Sequence, residues 1–65
     1  MKAEDFNKKY PIGRKFIYFP VKGDGNGEKT QTRSIAWELG HGETVVKIEG
    51  RSGGVAVSHL VPING

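Results

Sequence analysis

A chain of 65 residues with no cysteine has room for one domain and excludes a disulfide framework, a thiolate zinc site and a thiol redox centre. Its formal charge of +3 is uneven: net +4 over residues 1–22 and −1 over residues 23–65, which permits contact with nucleic acid without requiring it. No apolar run approaches the roughly 18 residues of a membrane span, and the charged start holds no apolar signal core, so the expectation is a cytoplasmic protein with no membrane partner.

Lys2 to Lys9 is the one candidate helix, with Glu4 or Asp5 to complement its N-terminus and Phe6 and Tyr10 as an i,i+4 aromatic pair. Pro11 ends it, because the residue before a proline is pushed out of the α region. A helix this short holds only if Phe6 docks on the rest of the domain. Arg14 to Phe19 reads as a strand closed by Pro20, with Phe16 and Tyr18 on one face and Ile17 and Phe19 on the other. One of those faces belongs to the core, and the other is left for a fold-back or a partner. Lys22 to Lys29 is a loop with glycines at 23, 25 and 27, expected to be the most mobile connection.

Thr30 to Leu39 reads as one strand, turned back at Gly40-His41-Gly42 into Val45–Ile48. A polar link with Gly50, Gly53 and Gly54 leads to Val55–Val57, a β-branched run that pairs with Val45–Ile48 as a hairpin. The stretch Glu43–Leu60 thus becomes the organising hairpin, with the other strands added to its two sides. Ser58-His59-Leu60 reads as a single 3₁₀ turn, and Val61-Pro62-Ile63 as a short last strand confined by its proline to an edge. The expected fold is a single mainly β domain over residues 1–65, of about five antiparallel strands with a short N-terminal helical turn.

The strand opening at Ile12-Gly13, the hairpin carrying Val45 to Val57 and the ending Ser58-His59-Leu60-Val61-Pro62-Ile63 resemble SH3-like small barrels, in which a 3₁₀ turn separates the last two strands. The string with KYPIG, TRSIAWELG and KIEGRSGGV also resembles short uncharacterised proteins of bacteriophages and prophages, over Phe6 to Pro62. The first resemblance implies a closed small β-barrel. The second implies a bacterial or phage cytoplasmic setting and no assigned activity. The chain lacks the acidic loop and tyrosine run of peptide-binding SH3 domains, so architecture carries over and ligand does not. Tyr10, Tyr18, Trp37 and Pro62 are the residues available to build a groove.

The glycine loop fails three tests for chemistry. Glu28 would put a negative charge among the phosphates of a Walker-type loop, the third glycine is misplaced for a dinucleotide fingerprint, and Lys29 and Ile35 stand where a calcium loop needs glycine and glutamate. His41 and His59 have no organised carboxylate partner, and Ser58 points away from its neighbour His59, so no catalytic set, metal or cofactor is expected. Arg51, at the tip of the central hairpin, is either a solvated turn residue or a charge offered to a carboxylate or phosphate. Trp37 is either core or a contact platform.

Two functions compete. A non-catalytic protein-interaction module, binding a protein partner or a second copy, follows from the two-faced strand and the lack of a catalytic set. Nucleic-acid binding through a basic and aromatic face is the alternative, with Lys8, Lys9, Arg14, Lys15, Arg33 and Arg51 for phosphates and Tyr18 and Trp37 for stacking. The binding candidates are Arg14, Tyr18, Arg33, Trp37 and Arg51.

Overall fold

The computed structural model describes residues 2–20 and 25–63, so the first part of the glycine loop lies outside the described residues. Helix α1 (Ala3–Lys9) has acids in its first turn and lysines in its last, matching the helix dipole, and Tyr10 N–H closes it on Phe6 O at 2.8 Å. Its stability comes from docking: Phe6 is 3% exposed and its ring lies 5.7 Å from that of Phe16 and 5.0 Å from that of Tyr10.

Six short strands follow among the described residues: β1 (Lys15–Tyr18), β2 (Glu28–Gln31), β3 (Trp37–Glu38), β4 (Thr44–Lys47), β5 (Gly54–Ala56) and β6 (Leu60–Pro62), with a 3₁₀ turn at Val57–His59 before β6. They form two antiparallel sheets, in the orders β2-β1-β6 and β3-β4-β5. β1 is central in the first, and β6 with Pro62 is an edge, where a missing N–H costs no ladder bond. β1 alternates as the pattern requires, and the fold selects the inward face that the pattern left open: Phe16 is fully buried, Tyr18 packs against the core, and Ile17 and Phe19 point outward, half-buried.

Two expectations are corrected. Only β3 joins the hairpin β4–β5; the remaining strands build a separate sheet around β1. The run Thr30–Leu39 is also broken, with β2 ending at Gln31 and β3 starting at Trp37. An isolated bridge at Thr32–Ile48, flanked by Glu49 N–H to Gln31 O (3.0 Å) and Arg33 N–H to Lys47 O (2.9 Å), joins the sheets at this break without closing them into a barrel. Between the paired positions Thr32–Ile48 and Trp37–Val45, residues 33–36 face only 46–47, so the strand bulges. Ser34 Oγ fills the gap by accepting the Lys47 N–H at 3.2 Å while donating to Ile35 O at 2.9 Å.

The bulge leaves Ala36 with its peptide groups on the free edge of the sheet, and α1 satisfies them. Asn7 Oδ1 accepts the Ala36 N–H at 2.7 Å and Asn7 Nδ2 donates to Ala36 O at 3.1 Å. One carboxamide thus does for Ala36 what a neighbouring strand would do, and it blunts an edge otherwise open to pairing. The core draws on both sheets and the helix: Ala3, Phe6, Phe16, Ala36, Val46, Ile48, Val55 and Leu60.

Candidate interaction site

The rings of Phe6 and Tyr10, reaching from α1 and its C-terminal end to Phe16 of β1, border an apolar cleft of about 200 Å³. Phe6, Phe16 and Leu60 come from the core, Val57 and Ser58 from the 3₁₀ turn, and Tyr10 and Pro62 complete the lining. The ring of Tyr10 stands at 72° to that of Phe16, with centroids 5.1 Å apart, in the edge-to-face geometry that aromatic quadrupoles favour. Proline after the 3₁₀ turn and tyrosine after the helix therefore do meet in one groove, while Tyr18 and Trp37 lie elsewhere.

Two cations sit at the Tyr10 end of this cleft. Lys9 Nζ is 5.6 Å and Arg14 Cζ 5.5 Å from the Tyr10 ring centroid, both within cation–π range. Arg14 is further held by donating from Nη2 to Ile63 O at 3.1 Å. Among the described residues the ion pairs are Lys8–Glu4 (3.4 Å) and Arg51–Glu28 (3.5 Å), so neither Lys9 nor Arg14 has a carboxylate partner there.

The arginines do not converge. Arg33 is a structural clamp, donating from Nε to Ile48 O (3.0 Å) and from Nη2 to Arg51 O (2.9 Å), which fixes the turn of the β4–β5 hairpin. Arg51 lies over the ring of Tyr18, 4.9 Å from its centroid, and pairs with Glu28. Tyr18 thus already carries a cation on its ring and leans toward His59, whose ring centroid is 6.3 Å away. His59 Nδ1 lies 2.7 Å from Phe19 O, a contact in which the imidazole must donate, so its proton sits on Nδ1. Among the described residues no three His, Asp or Glu side chains gather closely enough to hold a metal ion, and no helix is long and apolar enough to cross a membrane.

Trp37 is outside the main core cluster. It stands opposite Val45 in the register and leans over β4 onto Gly54, where an added Cβ would come within 3.0 Å of its Cη2. Ile35 (61% exposed) in the bulge, Trp37 (37%) in β3 and Leu39 (38%) just after it are exposed apolar side chains at alternate positions of the chain. On the first sheet the outward face is also apolar at its centre. Ile17 pairs with Lys29 and Val61, and Lys15 with Gln31, so lysines flank the row. Phe19 and Ile17 are half-covered because the backbone at Gly27 lies directly on them; a Cβ there would overlap the Ile17 side chain.

Ser58 and Leu60 carry no mark of a binding site in their pattern along the chain, and Lys9 is marked there only for phosphate contact. The i,i+4 pair Phe6–Tyr10 was the available signal, since an aromatic pair on a very short helix needs a surface to rest on. In comparisons with protein-family models, curated proteins and solved structures, nothing matches this chain.

Proposed function

We propose that this protein is a non-catalytic protein-interaction module of SH3-like connectivity, of the phage or prophage type that its sequence resembles, acting in a bacterial cytoplasm. The strand order supports the SH3-like reading: the last strand returns beside the first after a 3₁₀ turn, and three consecutive antiparallel strands, β3-β4-β5, form the other sheet. The observation that carries the function is the cleft of about 200 Å³ beside Tyr10, concave and lined mainly by apolar and aromatic groups. Clefts for drug-sized ligands run from roughly 300 Å³ upward, so this one suits a single large side chain presented by a partner. Buried aromatic anchors of that kind dominate protein contacts.

Short peptides presenting one Phe, Leu or Trp between neutral flanks test it by amide shift mapping. The expected result is shifts at Tyr10, Ser58 and Leu60, lost when Ser58→Phe fills the cleft of a protein that still melts cooperatively. Shifts absent from the cleft, or unaffected by Ser58→Phe, overturn the reading. The row Ile35–Trp37–Leu39 is the surface for a second copy, and sedimentation of the wild type against Trp37→Ser reads that arm.

Nucleic-acid binding is favoured by one feature, the outward face of β2-β1-β6, where Lys15, Lys29 and Gln31 surround Ile17. Oligonucleotide titration at low salt, with shifts on that face that vanish as salt rises, is its signature. Arg33 and Arg51 contribute less to it than their charge suggests, because both guanidinium groups already have partners.

A further inference from the structure

We infer that the segment seated in the Tyr10 cleft is acidic: a large apolar side chain with Asp or Glu on the neighbouring residues of a protein partner. The inference rests on the interaction-module reading and adds the partner's chemistry to it. The charged groups against the Tyr10 ring are both cations, while Glu43 shares a neighbouring cavity with Val57 and Ser58. Lys9 and Arg14 both lie within 5.6 Å of the Tyr10 ring centroid, and neither has a carboxylate partner among the described residues. Among the described residues Asp5, one helical turn before Lys9, makes no ion pair, and Glu4 is taken by Lys8.

The two cations are not equivalent. Arg14 is fixed by its bond to Ile63 O and retains further N–H groups in a planar fork suited to a carboxylate. Lys9 is exposed on the last turn of α1 and adjusts to whatever lies there. Within the cleft the Tyr10 hydroxyl and Ser58 Oγ are the polar side-chain groups, both able to receive or donate a hydrogen bond to a peptide backbone. A nucleotide would offer the same pairing of flat ring and anion, but the cleft volume of about 200 Å³ is small for a base with its sugar, which favours one side chain.

The test is amide shift mapping with three peptides that share a central Phe and differ only in flanks of Asp, Ser or Lys, plus a mononucleotide, at low and raised salt. The Asp-flanked peptide is expected to bind tightest, with shifts at Lys9, Tyr10, Arg14 and Ser58, roughly two- to fivefold weaker for each cation neutralised. Its advantage should shrink with salt. Lys9→Glu sets an acid opposite Arg14 at the same ring and should bring the Asp- and Lys-flanked peptides close to equal affinity. Equal binding of all three peptides to the wild type overturns the acidic partner while leaving the module standing. Binding of none of them at the cleft removes both, and a nucleotide that outcompetes the Asp-flanked peptide there replaces the partner class.

Discussion

Replacing Asn7 by alanine removes both partners of the Ala36 peptide groups on the open edge of β3. Two hydrogen bonds disappear, at 2.7 and 3.1 Å, and they span 29 residues of sequence. Each such bond contributes about 0.5–1.5 kcal/mol net, and a buried group left unpaired costs about 1–3 kcal/mol. Ala36 is buried but Asn7 is only half so, which lets water reach part of the vacated site and argues for the lower range. Alanine returns about 0.5 kcal/mol through its better helix propensity. The net loss is about 1–2.5 kcal/mol, or roughly 5–15 °C in melting temperature for a domain of this size. Urea unfolding should show a lower midpoint at unchanged slope, as for a native-state loss without change in the denatured chain. Asn7→Asp sharpens the test: it keeps an acceptor for the Ala36 N–H but sets a second oxygen against Ala36 O, so it should be no more stable than Asn7→Ala. Stability of Asn7→Ala within about 0.5 kcal/mol of wild type, or Asn7→Asp clearly above it, refutes the role given to this carboxamide.

Arg33→Lys keeps the charge and loses the forked contact to Ile48 O and Arg51 O; it should cost about 1 kcal/mol and speed hydrogen exchange at residues 50–53. Unchanged exchange there would show that the turn holds itself. Gly54→Ala brings a Cβ to 3.0 Å from Trp37 Cη2, so the half-exposed indole must give by a few tenths of an ångström, and the emission of the chain's one tryptophan should shift slightly to the red. An unshifted spectrum would mean that the strands yield instead. Glu28→Gln breaks an ion pair whose two side chains are 41% and 66% exposed, so stability should change by less than about 0.5 kcal/mol and lose little salt dependence. A loss of more than about 1 kcal/mol would point to a tighter pairing of Arg51 than 3.5 Å.

Wherever an element is set by its own residues, the chain announces it. Pro11 stops the helix, Gly42 (φ 90°) takes the positive φ that its turn demands, the alternation in Lys15–Tyr18 sorts Phe16 from Ile17, and Pro62 goes to an edge. Mainly β content and a helix dependent on Phe6 follow from these local rules. The contents of the site were less legible. Of Arg14, Tyr18, Arg33, Trp37 and Arg51, only Arg14 borders the cleft, because a guanidinium's fate depends on which carbonyls the fold brings near it, and those of Arg33 belong to residues 48 and 51.

Local propensity and period determined where most of the backbone is extended, where it turns and which side chains of β1 share a face, since each is decided within a few residues; which of those two apolar faces is buried was decided by the packing of Phe6 on Phe16. Tertiary structure alone decided that the strands divide into two sheets, that Thr30–Leu39 breaks at a bulge, and that Asn7 stands in for a strand beside Ala36. Those outcomes depend on pairing between segments far apart in the chain. A register mismatch of two residues against four, or a carboxamide meeting a peptide 29 residues away, leaves no mark on the local pattern from which elements are read.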